Sequence, residues 1–142
     1  MKSWSPERVG LHSRRLLAHA GVRAALLTAA LACSEARAIR VAPGSTASRL
    51  TFEIDTEAVR GATAAFRVDA CSAAGVPPQA HWLARGDGTW GSVGRIEYGA
   101  PPAGWHSVQG PRPLAPGCYR AAIARATPLE IDIHEDGSVS AR

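Results

Sequence analysis

Three side chains able to bind a metal ion follow one another at a spacing of two residues near the end of the chain. Glu130, Asp132 and His134 alternate with leucine and isoleucine, so a β-strand would carry all three on one face. Successive side chains on that face stand about 7 Å apart, from a rise of about 3.3 Å per residue. Two neighbours could share one ion, and Asp132 with His134 is the candidate metal site. The alternative interpretation is a solvated strand face.

Aromatic and imidazole side chains are concentrated between residues 81 and 106. The group comprises His81, Trp82, Trp90, Tyr98, Trp105 and His106. Exposed rings beside polar groups could stack on sugars, so Trp82, Trp90 and Trp105 form a candidate carbohydrate site. The alternative is that Trp82 and Trp90 face each other across a hairpin and fill the core. Trp105 follows a Pro/Gly loop and is the candidate for exposure.

The sequence contains no recognised arrangement for nucleophilic catalysis. The spacings Gly-x-Ser-x-Gly and His-Glu-x-x-His and the phosphate-binding loop are all missing from it. We therefore expect no catalytic residue, no cofactor and no enzymatic activity. Arg85-Gly86-Asp87 spells the integrin-binding tripeptide, but Gly-Asp-Gly is also favourable turn chemistry, and we interpret it as the exposed tip of a hairpin.

A turn motif at residues 114–119 indicates a fold class. Leu114-x-Pro116-Gly117-x-Tyr119 leads into an apolar run and resembles the tyrosine corner of β-sandwich domains such as fibronectin type III. In that corner the phenol hydroxyl bonds to the backbone just upstream. The resemblance implies that these four residues fix a structural turn in an immunoglobulin- or fibronectin-like sandwich.

Short alternating segments separated by Gly and Pro run through the chain after residue 38. The predicted strands are 39–41, 49–56, 65–71, 80–85, 89–98, 105–108, 118–125, 129–134 and 138–141. Gly86-Asp87-Gly88 joins two of them as a predicted hairpin. With no helical period beside these strands, the pattern predicts an all-β protein, a small antiparallel β-sandwich.

The N-terminus has the plan of a secretory signal. A basic segment up to Arg23 precedes the apolar run 24–32, and Ala36-Arg37-Ala38 supplies a small-residue cleavage site. The run is too short for a membrane span, which needs about 20 residues. We expect residues 1–38 to be a signal peptide and 39–142 a single domain. A start site too far upstream of Val22 and a twin-arginine signal at residues 13–17 are open alternatives.

Cysteine positions give a second indication of export. After the expected cut, Cys71 and Cys118 are the two cysteines left, 47 residues apart, and such a pair in an oxidising compartment predicts a disulfide. A redox pair or metal site would favour a Cys-x-x-Cys spacing. Upstream, Ala30-Leu31-Ala32-Cys33 resembles a lipobox, and cleavage there would make Cys33 a lipidated N-terminus.

Charge argues against a nucleic-acid partner. Six of the 16 Lys and Arg residues and two of the 12 Asp and Glu residues precede the expected cut, which leaves ten of each and removes the basic balance such partners require. We expect an exported, non-enzymatic binding or structural module of the bacterial envelope. It would be periplasmic or secreted, or lipid-anchored through Cys33, with an envelope protein or a glycan as partner. A carbohydrate-binding module and a periplasmic metal-binding protein are the alternatives.

Overall fold

The computed structural model of the protein describes residues 37–142, which form strands and loops and contain no helix. The strands are β1 (Ile39–Val41), β2 (Thr51–Ile54), β3 (Thr63–Ala70), β4 (Ala80–Thr89), β5 (Arg95–Glu97), β6 (His106–Gln109), β7 (Gly117–Ala122), β8 (Leu129–Ile133) and β9 (Val139–Ala141). Residues 1–36 of the predicted signal peptide 1–38, and with them the predicted lipidation site Cys33, lie outside the described residues. Within residues 37–142 no helix has the length and apolar character that a membrane span needs.

The strands form two antiparallel sheets that pack against each other. One sheet has the order β1-β2-β5 and the other the order β6-β4-β3-β7-β8-β9. The fold is a small all-β sandwich, as the alternating pattern predicts. β1 forms an edge of the smaller sheet and coincides with the predicted strand 39–41.

The core lies between the two sheets and is built from the inward residues of each alternating strand. Phe52 of β2 meets Phe66 of β3 with ring centroids 5.1 Å apart, and both side chains are fully buried. Burial of each of these two side chains contributes about 2–3 kcal/mol to the stability of the fold. β8 shows the alternation most clearly, since Leu129, Ile131 and Ile133 are buried while the residues between them are not.

The predicted hairpin at Gly86-Asp87-Gly88 is wrong. β4 continues through these residues to Thr89 and pairs with β3 on one side, where Thr63 is opposite Thr89, and with β6 on the other. The next strand, β5, belongs to the other sheet. Residues 86–88 form an irregularity within β4, because the two-residue step from Thr63 to Ala65 on β3 lies opposite the four-residue step from Arg85 to Thr89. Gly88 has φ +76° there, so the glycine serves a bulge and not a hairpin turn.

Two contacts join β3 to the start of β7. Cys71 and Cys118 form a disulfide with their Cα atoms 5.3 Å apart, and the amide of Cys71 donates to the carbonyl oxygen of Cys118 at 2.9 Å. The next residue, Tyr119, is buried, and its hydroxyl donates to the carbonyl oxygen of Ala115 at 2.9 Å. A covalent bond and a corner hydrogen bond thus fix the same turn.

Ala38, after which signal cleavage is predicted, is part of the fold. Its side chain is 7% exposed, and its carbonyl oxygen accepts a hydrogen bond from the amide of Asp55 at 2.9 Å. Ile39 is fully buried. A chain beginning at Ile39 would lose that hydrogen bond and would place its ammonium group on a buried residue, which costs free energy.

The segment after β6 passes close to the backbone of His81 at Gly110. The carbonyl oxygen of His81 accepts hydrogen bonds from the amide of Arg112 at 3.0 Å and from the hydroxyl of Tyr98 at 3.4 Å. A Cβ atom at Gly110 would overlap that carbonyl oxygen, and Gly110 also has φ +74°. Only glycine fits both conditions.

We predict that Gly110→Ala destabilises the protein more than Gly104→Ala does. Gly104 has φ +79° with open space around its missing Cβ, so both variants incur the left-handed backbone cost of about 1–2 kcal/mol. Only Gly110→Ala must also separate two backbone segments, which adds about 1–3 kcal/mol. Chemical denaturation of both variants measures the difference, and equal losses would contradict the close approach.

Candidate functional site

Both carboxylates near the candidate metal site on β8, Asp132 and Glu130, form ion pairs with arginines. Asp132 accepts two hydrogen bonds from the guanidinium of Arg142, at 2.5 and 2.6 Å, and this hydrogen bonding holds the pKa of the Asp132 carboxyl below its usual range. Glu130 pairs with Arg120 of β7 at 2.6 Å. Each carboxylate therefore already has a cationic partner on a neighbouring part of the sheet.

His134 lies just beyond the end of β8 and does not join the two carboxylates. Its Nε2 atom is 2.9 Å from the hydroxyl oxygen of Ser140 on β9. Across residues 37–142, no three His, Cys, Asp or Glu side chains are grouped so that they could hold a metal ion. The arrangement around Asp132 and His134 supports a paired strand surface better than a metal site.

Two of the three candidate sugar-binding tryptophans lie in the core. Trp82 is 0% and Trp90 1% exposed. Their indole N–H groups are both used, since Trp82 donates to the hydroxyl of Ser107 at 3.0 Å and Trp90 to the carbonyl oxygen of Val93 at 2.9 Å. Neither ring presents a face to a ligand.

The rings of Trp82 and Trp90 are arranged around Phe66, not across a hairpin. The ring of Phe66 lies 5.9 Å from that of Trp82 and 6.4 Å from that of Trp90. Trp105 is partly buried and meets Trp90 edge-on at 4.9 Å. The indole of Trp105 covers Gly86, where a Cβ would stand 2.6 Å from its Nε1 atom. Trp105 thus closes the end of the core, and a sugar site would have to rest on this one ring.

The Arg85-Gly86-Asp87 tripeptide lies within β4 and not at a loop tip. Arg85 pairs with Ala65 of β3 and with His106 of β6. Arg85 and Asp87 are exposed, as the sequence indicates, and the backbone after Arg85 enters the irregularity of β4 opposite Thr63 and Ala65. This geometry supports the structural interpretation of the motif.

Tyr98, the remaining aromatic residue of the group, fastens the segment that follows β6. Its hydroxyl donates to the carbonyl oxygen of Arg112 at 2.7 Å, and its ring meets Trp82 edge-on at 5.5 Å. Burial raises the pKa of the Tyr98 phenol above its ordinary value. The phenol has a structural role because both its ring and its hydroxyl are engaged.

A cleft that sequence reasoning missed is lined by three arginines. Arg37, Arg125 and Arg142 line a space of about 610 Å³. The other residues that line this arginine cleft are Ala38, Ala58, Ala126, Thr127, Pro128 and Glu130. The three arginines come from the start of the described chain, the β7–β8 connection and the residue after β9, so no local sequence signal could have grouped them.

Arg125 has an unusual backbone in this cleft. Its φ of 65° makes it the one non-glycine residue of the described chain in the left-handed region, a conformation that costs about 1–2 kcal/mol. Glycine or asparagine would adopt it more readily. Strain of this kind is concentrated at ligand-binding positions in proteins.

Comparison with known proteins assigns no family to the chain. No family model, no curated protein and no solved structure matches it. The tyrosine corner therefore remains a local resemblance.

We predict that Trp105 accounts for most of the acrylamide quenching contributed by the described tryptophans. Trp105→Phe should lower the quenching constant of the protein because Trp82 and Trp90 are shielded from solvent. Trp4 is present in both proteins and cancels in the comparison. Unchanged quenching in a variant with native thermal stability would show that another of these indoles is accessible.

Proposed function

We propose that the protein is an exported, non-enzymatic binding or structural module of the bacterial envelope. The observation that carries this proposal is the Cys71–Cys118 disulfide, with Cα atoms 5.3 Å apart. Structural disulfides persist in oxidising compartments such as the periplasm and are rare in the cytosol. The secretory pattern of residues 1–38 agrees with the same destination.

The state of the polar side chains supports a non-enzymatic role. An acid or base catalyst needs a titratable group free to exchange a proton with a substrate. Asp132 and Glu130 are instead held in ion pairs, with Arg142 and Arg120 respectively. The one buried carboxylate of the described chain, Asp69, is paired with Arg67 at 2.5 Å. The pair of Arg120 and Glu130 joins β7 to β8, the pair of Arg142 and Asp132 joins the residue after β9 to β8, and the pair of Arg67 and Asp69 lies within β3.

The experiment that tests this proposal follows the cysteines in the cell. The full chain with Cys33→Ala is expressed in a bacterium, thiols are trapped by acid and alkylated, and the fractions are separated. We predict that the protein is recovered from the envelope with Cys71 and Cys118 unreactive until they are reduced. A matched chain lacking residues 1–38 should remain in the cytosol with both thiols reactive.

The proposal fails if the chain carrying residues 1–38 stays in the cytosol with two reactive thiols. Comparison with the unmodified Cys33 protein decides how the module is held in the envelope. A soluble periplasmic protein should behave identically with and without Cys33, whereas a lipid-anchored one should leave the membrane fraction when Cys33 is replaced.

A further inference from the structure

The arginine cleft has the size and the lining of a small-ligand site. Its volume of about 610 Å³ falls within the range of about 300–1,000 Å³ typical of such sites. The apolar residues Ala126 and Pro128 line the cleft together with Thr127 and the three arginines. This combination of apolar walls with a few polar groups is what fixes the orientation of a bound small molecule.

Three arginines and one glutamate line this cleft. Glu130, the one acidic residue in the lining, is already paired with Arg120. Arg142 is neutralised by Asp132, and Arg37 donates to the main-chain oxygen of Arg142. No acidic side chain among residues 37–142 forms a salt bridge with Arg125.

The backbone conformation of Arg125 lowers the stability of the fold. The connection between β7 and β8 is closed by a hydrogen bond from the amide of Ala126 to the carbonyl oxygen of Ile123 at 3.2 Å. At φ 65° the position favours glycine or asparagine. An arginine that has no salt-bridge partner among residues 37–142 and keeps this conformation at the wall of a cleft points to a ligand that the guanidinium binds.

We propose that the arginine cleft binds a phosphate group, with Arg125 as its principal anchor. The planar guanidinium matches phosphate through two parallel hydrogen bonds, and the Thr127 hydroxyl can donate a third. Signal cleavage after Ala38 would remove Arg37, but the new ammonium group of Ile39 would then stand where Ala38 lines the cleft. The site would remain cationic. This inference rests on the proposed binding function and names its ligand class.

Calorimetric titration of the oxidised protein with inorganic phosphate tests the site. Arg125→Asn removes the guanidinium and suits the left-handed backbone, so this variant should melt at a higher temperature and bind phosphate about tenfold more weakly. Arg85→Asn removes an equal charge from exposed β4 and is the matched control, with unchanged affinity expected. Equal affinities for the wild-type protein and Arg125→Asn, or equal losses in both variants, would overturn the proposal.

Vesicles distinguish a lipid headgroup from a soluble phosphate. Cosedimentation with phosphatidylglycerol vesicles that is absent with phosphatidylcholine vesicles, and that Arg125→Asn weakens, would assign the phosphate to a lipid. Phosphate binding without sedimentation would assign it to a soluble compound. Binding to neither probe would sink the phosphate site and leave the proposal of an exported module intact, since cysteine trapping tests that separately.

Discussion

The disulfide between Cys71 and Cys118 is the constraint on which the rest of the described structure depends. The chain between these residues contains β4, β5 and β6. Of these strands, β4 and β6 belong to the larger sheet and β5 belongs to the smaller one. Closing a loop of this length stabilises a fold by about 4 kcal/mol on the chain-entropy model. That is a large share of the usual margin of a small domain. Tyr119, which follows Cys118, is held in place by the hydrogen bond from its hydroxyl to the carbonyl oxygen of Ala115.

The fold class could be predicted because alternation along a strand records which face is buried. β8 reads as a strand since Leu129, Ile131 and Ile133 fill one face, and the structure buries all three. β4 could not be read correctly because Gly86 has two explanations. Glycine there favours a turn, but it also leaves room for the indole of Trp105, and that residue is 19 positions away in sequence.

The candidate sites differ in the same respect. Some depend on the types of nearby residues, and others depend on contacts between residues far apart in sequence. The sequence around Trp82 and Trp90 is compatible with a core or a ligand-binding position, and the structure buries both, in line with the physical preference for burying large aromatic rings. The ion pairs of Asp132 and Glu130 depend on which strands flank β8, a long-range property. The arginine cleft depends on the meeting of three distant segments, and the left-handed backbone of Arg125 has no signature in residue type.

Hydrogen exchange of the folded protein, measured by NMR before and after reduction, tests the central role of the disulfide most directly. The amides of β3 and β7 should be the slowest in the oxidised protein, because they lie in the middle of the larger sheet and exchange through global unfolding. Reduction should accelerate them about a thousandfold, the equivalent of about 4 kcal/mol. Unchanged exchange of these amides after reduction would contradict the account.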